Sequence, residues 1–366
     1  METSPVHVLD FTNVTAANKK ICANFDDWCK TYQYPPPNTG DLEMGTAPDM
    51  KESWHLNKQI KIAKWEEALA CFLLFLFPGV IVWLPLVAII CLFVFSWKFI
   101  VPCIAVAVII TYLVPVRYLP SICSSYILRL FARYFSLRII SLSKLDETAT
   151  YLFGNMPHGV FPIGDMLSLF AFLMMAQRVP RYACSWALIY LPVLRNIFGA
   201  YGAISASRSR IVETLREHQS VSLNLPGLAG IYDSADTRQT IQLQNRRGFI
   251  RAALAVGNVS LVPVYIFGNT ECLSSLFTTN RFMRALSRFL RFPLTWIYGR
   301  CYLPIAQRTP ILIAIGKPIL VDTVPTEHPS EELIEYYHKR FVDGLIDVYH
   351  RCKGYYGWEH MELRIK

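Results

Sequence analysis

Charge vanishes from the chain twice in close succession. From Ala68 to Trp97 thirty consecutive residues carry none, and beyond Lys98 a further eighteen, Phe99 to Val116, carry none either. About 20 apolar residues span a bilayer as a helix. The block is therefore long enough for two spans, although Pro78, Pro85 and Pro102 fall inside it. Lys58, Lys61 and Lys64 precede it, Arg117, Arg129, Arg133 and Arg138 follow it, and only Lys98 lies between. Positive charge gathers on the cytosolic side of membrane segments. Residues 58–116 are accordingly predicted to be a transmembrane hairpin with both ends in the cytosol, or a re-entrant pair that never crosses fully. Residues 1–57 are polar, with three prolines at 35–37, and lack the basic start and apolar core of a cleaved signal peptide. They read as a flexible cytosolic arm.

After residue 145 the pattern changes to short apolar runs alternating with helical periodicity, as in a βα-repeating domain. Strands are predicted at Thr150–Gly154, Val221–Leu225, Leu261–Ile266 and Ile311–Ile315. Helices are predicted near Asp165–Gln177, Arg208–His218 and Asn245–Val256. Ser330 can cap a last helix that has Glu331 and Glu332 in its first turn and an apolar stripe of Leu333, Tyr337, Phe341, Leu345 and Val348. The predicted class is α/β, a mixed sheet flanked by helices over 117–366.

Composition agrees with a membrane-associated protein. Of 366 residues 53% are hydrophobic and only 17% charged, against about 25% for a typical soluble domain, which excludes general disorder. Lys and Arg number 36 against 27 acidic residues, a surplus of +9 that suits anionic lipid or phosphorylated substrates. The basic residues are scattered between apolar segments, so no nucleic-acid stripe is formed. Ten cysteines include no C-x-x-C pair, so buried free thiols in a reducing compartment are expected. Asn13-Val14-Thr15 and Asn258-Val259-Ser260 match the glycosylation pattern, which carries no weight without lumenal exposure.

Candidate chemistry centres on His158, in a Pro/Gly-rich loop between a predicted strand and a predicted helix. Catalytic groups concentrate in loops at the carboxyl ends of strands. A histidine there can act as general base for a hydroxyl nucleophile, its pKa lying near working pH. Taken alone, it could equally satisfy backbone groups of the turn.

Four ordered blocks favour the first reading. Asn155-Met156-Pro157-His158-Gly159 resembles the HPHG signature of the type 2 diacylglycerol acyltransferase family, which includes monoacylglycerol and wax-alcohol acyltransferases. Pro192-Val193-Leu194-Arg195 precedes the stretch from Gly202 to Arg208, similar to the family's segment ending in Ser-Arg. Asn245-Arg246-Arg247-Gly248-Phe249 leads into the run Leu261 to Gly268, similar to the family's R-K-G-F and L-V-P…F-G pair. Glu327-His328-Pro329 and Tyr337-His338 resemble its C-terminal segment. The resemblance covers roughly residues 60–360.

There are departures. Met156 stands where the first histidine of HPHG would be, leaving His158 for the base. The family's Gly-Gly-x-x-Glu stretch is here Pro226-Gly227-Leu228-Ala229-Gly230-Ile231, with Gly230 or Ile231 in the glutamate's place. Asp165 is a candidate to replace it, or else a plain helix N-terminal residue; Asp233 and Asp236 are further candidates. Arg208, Arg210, Arg246 and Arg247 sit at predicted helix starts, where the dipole also favours an anion such as the phosphates of the acyl donor. Solvated surface arginines are the alternative. Arg281, Arg284, Arg288 and Arg291 share one helical face, as on an amphipathic helix that grips anionic lipid or on an ordinary solvated one.

The resemblance implies a glycerolipid-acyltransferase-like fold and direct acyl transfer from acyl-CoA to diacylglycerol, making triacylglycerol at the endoplasmic reticulum and lipid droplets. His158 and Asp165 would be catalytic, and Pro157, Gly159, Arg208, Gly227, Arg246, Arg247 and Gly248 would bind substrate. Acyl-CoA would be a co-substrate, with no cofactor or metal called for. A monoacylglycerol or long-chain-alcohol acceptor and a catalytically silent lipid-binding relative are the alternatives, and homo-oligomerisation is left open.

Overall fold

The computed structural model describes residues 7–10, 59–94, 97–174, 179–227, 238–276, 282, 285–287 and 296–366. In chain order these form β1 (His7–Asp10), α1 (Lys64–Val94), α2 (Trp97–Leu113), α3 (Tyr126–Tyr134), β2 (Arg138–Ser141), β3 (Tyr151–Met156) and α4 (Ile163–Met174). There follow β4 (Arg181–Cys184), α5 (Trp186–Tyr190), α6 (Leu194–Ala200), β5 (Ala203–Ser205), α7 (Arg208–Arg216), β6 (Val221–Asn224) and β7 (Arg238–Ile241). The chain continues through α8 (Gly248–Val256), β8 (Val259–Phe267), the two-residue strands β9 (Ser274–Ser275) and β10 (Ile297–Tyr298), β11 (Leu312–Ile315), β12 (Ile319–Val321), α9 (Glu331–Tyr356) and β13 (Glu362–Ile365).

One mixed sheet organises the domain in the order β1-β2-β11-β8-β3-β6-β4-β5, with β12 also paired to β8. The pairings β8–β3, β3–β6, β6–β4 and β4–β5 are parallel, whereas β8 meets β11 and β12 antiparallel. Every residue of β3 and β8 is buried, which is why both read as nearly continuous apolar runs. Their side chains still alternate. Tyr151, Phe153, Val262, Val264 and Ile266 enter a core shared with α3, α4 and the base of α1. Leu152, Met156, Leu261, Tyr265 and Phe267 enter a second core under α7, α8 and α9. The result is a helix–sheet–helix sandwich.

α9 covers the second face. The Ser330 hydroxyl accepts from the Leu333 N–H at 3.3 Å, as a cap should. Its buried side includes Ile334, Tyr337, Phe341, Leu345 and Val348, with Leu333 only partly covered. It closes at Gly357, whose φ of 80° is left-handed. α9 comes so close to β3 that a Cβ on Gly154 would lie 2.6 Å from the Phe341 ring. Glycine in mid-strand marks such an approach.

α1 and α2 occupy the two charge-free runs and pack on each other. Ala70 and Leu74 of α1 are buried in the domain core, and Glu66 is ion-paired with Arg133 of α3. Further out the apolar side chains are bare: Phe93, Val94, Trp97, Ile109 and Leu113 are all more than half exposed. Two helices thus occupy the region predicted to be a hairpin, but among the described residues no helix is long and apolar enough to cross a membrane. Of the expected flexible arm, His7–Asp10 is described, as an antiparallel edge strand on β2. The rest of 1–57 lies outside the described residues.

Candidate active site

Parallel strands β3 and β6 run in register, Asn155 opposite Asn224, so the loops that follow them emerge side by side at one edge of the sheet. His158 lies in the first loop, five residues before α4 begins at Ile163. It is half-buried, and its Nδ1 lies 2.8 Å from the Gly159 carbonyl oxygen. A carbonyl can only accept, so that contact fixes the proton on Nδ1 and leaves Nε2 unprotonated, without a hydrogen-bond partner among the described residues. Burial lowers the His158 pKa, and the bond to Gly159 opposes that shift in part. The ring is therefore neutral at pH 7, in the form a general base needs.

The loop is held by a residue the sequence reading did not single out. Asn269, just beyond the end of β8 and 1% exposed, donates from Nδ2 to the carbonyls of His158 at 2.7 Å and Pro157 at 3.2 Å. Its Oδ1 accepts from the Gly164 N–H at 3.0 Å. One side chain so joins β8, the histidine loop and the start of α4. Gly159 sits at φ 65°, and a Cβ there would come within 2.9 Å of Asn269, so the clamp requires glycine at this point.

Asp165 lies in the first turn of α4 and is fully buried. Its Oδ1 accepts from Asn155 Nδ2 at 2.6 Å and its Oδ2 from Asn224 Nδ2 at 2.9 Å. Asn155 also donates to Ser222 Oγ at 3.0 Å. Burial pushes the carboxyl up to about 7, against the hydrogen bonds from Asn155 and Asn224 that pull it down. His158 and Asp165 are brought to the same end of β3, but they answer to different partners, the ring to Gly159 and the carboxylate to the two amides. Asp233, Asp236, Gly230 and Ile231 lie outside the described residues.

The expected anion-binding arginines are spread over several partners. Arg246 reaches from the turn before α8 to the Pro226 carbonyl at 3.0 Å, which places it at the loop after β6, beside the histidine loop. Arg247 occupies the position before α8 and pairs with Glu335 at 2.6 Å, lining an open cleft of about 630 Å³ together with Lys339 and His350. Arg208 binds Glu327 at 3.0 and 3.3 Å, and Arg210 pairs with Glu213 at 2.7 Å. All of these ion pairs are exposed and individually weak, so a phosphate could displace the carboxylates at little cost. Gly227, at φ 55°, and Gly248, the first residue of α8, both have open space where a Cβ would stand, leaving room for a ligand to approach the backbone. Pro157 follows a cis bond and presents its carbonyl to Asn269. Arg281, Arg284, Arg288 and Arg291 lie outside the described residues.

Asn155, Asn224 and Asn269 form the frame that sequence reasoning missed, with Ser222 bonded to Asn155 from within β6. Scattered amides have no spacing signature. Their common feature is position at or just past the carboxyl end of a strand, where α/β sheets present their ligand-binding groups.

The fold is thus a mixed α/β sandwich that holds a neutral histidine in a loop at the carboxyl ends of parallel strands. Comparison with known proteins gives its family. Residues 90–366 match the family described as Diacylglycerol acyltransferase, and the chain belongs to that family. It is 29% identical over 242 residues to "Diacylglycerol O-acyltransferase 1" of Eremothecium gossypii, an alignment that covers 59% of this chain and 50% of that protein. It is also 29% identical over 258 residues to human "Acyl-CoA wax alcohol acyltransferase 2", covering 64% of this chain and 75% of the relative. The chain thus spans about half the length of the first relative. Among solved structures it has a loose likeness to the 1-acyl-sn-glycerophosphate acyltransferase PlsC of Thermotoga maritima, with 12% identity, a TM-score of 0.38, and coverage of 78% of this chain and 98% of that one.

Proposed function

We propose that this chain is a membrane-bound, acyl-CoA-dependent O-acyltransferase that makes triacylglycerol from diacylglycerol, with His158 as general base. One observation carries the proposal: Nδ1 is committed to the Gly159 carbonyl, so the unprotonated Nε2 is the free nitrogen of a half-buried neutral ring. Nε2 takes the proton of the acceptor hydroxyl while its oxygen attacks the thioester carbonyl. The tetrahedral intermediate collapses with rupture of the C–S bond, and the departing thiolate recovers the proton from the imidazolium. Backbone N–H groups of the Gly159 and Gly227 loops are the donors we assign to the oxyanion. Asp165 acts through its frame, fixing the ends of β3 and β6 beneath the loop. Arg246 and Arg247 receive the phosphates of the donor.

Membrane attachment is supported by the two charge-free runs and by the bare apolar side chains along the outer part of α1 and along α2. Both substrates partition into lipid or onto its surface, which suits the endoplasmic reticulum and the droplets that bud from it. A long-chain alcohol is the competing acceptor, since relatives named for the two acceptors match at the same identity. Microsomes carrying the chain, given labelled acyl-CoA with diacylglycerol, monoacylglycerol and fatty alcohol in parallel, decide between them. Labelled triacylglycerol as the main product supports the proposal. Wax ester instead reassigns the acceptor, and no product with any acceptor removes the enzyme reading.

A further inference from the structure

We infer that the loop 296–303 is a second membrane contact, an aromatic wedge lying at the boundary between headgroups and acyl chains beside the base of α1. The inference rests on the membrane-bound reading proposed above, and it assigns that reading a depth.

Arg300 fixes the loop against α1. Its Nη1 donates to Glu67 Oε1 at 2.7 Å, to Cys71 Sγ at 3.2 Å and to Tyr134 Oη at 3.3 Å. Glu67 is the last charged residue before the run that begins at Ala68, and Cys71 lies one turn inside that run. The loop therefore sits at the level where α1 passes from charged to uncharged residues. Exposed Lys61 and Lys64 lie on the charged side of that level, where lipid phosphates would be.

The side chains at that level are of the interfacial kind. Tyr302 is 82% exposed, Trp296 and Leu303 are 40% exposed, and on α1 Trp65 and Phe72 are 60% and 58% exposed. Trp and Tyr concentrate at membrane–water boundaries because an apolar ring carries one polar group. Apolar side chains gathered this way on a surface mark an interaction site more often than chance exposure.

The loop is also built to hold them out. Ile297 anchors it in the core, and β10 pairs with β9. The Gly299 N–H donates to the Leu303 carbonyl at 2.7 Å and the Arg300 N–H to the Ile305 carbonyl at 2.8 Å, which closes the turn. A Cβ on Gly299 would lie 2.1 Å from the Ile305 oxygen, so this closure demands glycine. At the tip, Cys301 and Tyr302 adopt φ of 53° and 59°, a left-handed conformation unfavourable for both. Both residues are exposed, so the strain sits at the surface rather than in the core, which points to a role outside the folded domain.

The test needs no substitution. The full wild-type chain is reconstituted in phosphatidylcholine vesicles that carry a photoactivatable diazirine, placed either at the ester level or at the chain end, and adducts are mapped by mass spectrometry. The inference expects shallow-probe adducts within 296–303, deep-probe adducts within 97–113, and none on the charged start of α9. Labelling of 97–113 without any adduct at 296–303 overturns the wedge and leaves the hairpin reading intact. Loss of adducts from 97–113 alone overturns the hairpin reading and leaves the wedge standing. Absence from both removes both.

Discussion

Asn155 and Asp165 meet through a 2.6 Å hydrogen bond from amide Nδ2 to carboxyl Oδ1, which ties the end of β3 to the first turn of α4 across the loop that carries His158. Asn224, at the end of β6, closes the other carboxyl oxygen. The loop between these anchors has its length set by strand and helix, and its shape set by Asn269 from a third element. Preorganisation of a base in this way contributes to rate by holding it in a reactive geometry before substrate arrives.

Asp165 makes stability depend on pH in a definite direction. Its pKa in the fold, about 7, lies above the ordinary 3.8 because burial penalises the charged form. A raised carboxyl favours folding fully below its unfolded pKa, and that contribution is lost as pH rises toward the folded value. A shift of about three pKa units corresponds to roughly 4 kcal/mol. Asp165→Asn removes the titration. Thermal unfolding in detergent at about pH 4.5 and about pH 7.5 should show the wild type losing ground to this variant at the higher pH. Parallel curves would mean that Asp165 is ionised in the fold throughout.

Asn269 should matter for turnover more than for binding. In Asn269→Asp the acceptor for the Gly164 N–H survives, but the donor to the Pro157 and His158 carbonyls becomes a repelling oxygen. Misplacing a catalytic group by an ångström can cost about 100-fold in rate. A fall in kcat of that order with KM little changed is expected from steady-state kinetics. Equal losses in both parameters, or in protein yield alone, would reduce Asn269 to a folding role.

Gly154 reports on the contact between α9 and β3. Gly154→Ala drives a methyl group into Phe341 and Leu225, whose nearest atoms lie 2.6 and 2.7 Å from the new carbon. Overpacking of a filled core typically costs about 1–3 kcal/mol. A lowered unfolding midpoint should appear in differential scanning fluorimetry, and an unchanged midpoint would show that α9 can shift outward freely.

The rate should follow the neutral form of His158. Burial lowers its pKa below the ordinary value of 6.5, so activity is lost as pH falls through that lowered value and is level at neutrality. A plot of kcat/KM against pH should have its acid limb below pH 6.5. An acid limb centred above that point would mean that another group, or a charged partner of the ring, governs the step.

How far these features could be read in advance depended on the kind of signal each leaves. β3, β8 and β11 were expected because strands buried on both faces become nearly unbroken apolar runs, although β8 extends from Val259 to Phe267 and so exceeds the predicted core at both ends. β2, β4 and β5, of three or four residues, are too short to show a period. α8 starts at Gly248 rather than Asn245, because the Arg246 N–H closes a turn onto the Leu243 carbonyl instead of continuing a helix. His158 was legible through its motif and loop. Asn155, Asn224 and Asn269 were not, because three amides that converge from 155, 224 and 269 are joined only by the sheet. The partners of Arg208 and Arg247 on Glu327 and Glu335 were hidden for the same reason.

The most direct measurement compares wild type and His158→Ala in microsomes, at matched protein level and membrane attachment, with labelled acyl-CoA and diacylglycerol. General-base catalysis typically contributes about 10²–10⁴-fold, and loss of triacylglycerol formation on that scale is the predicted result. Transfer by His158→Ala at a rate near wild type would contradict the account, because the base would then be some other group.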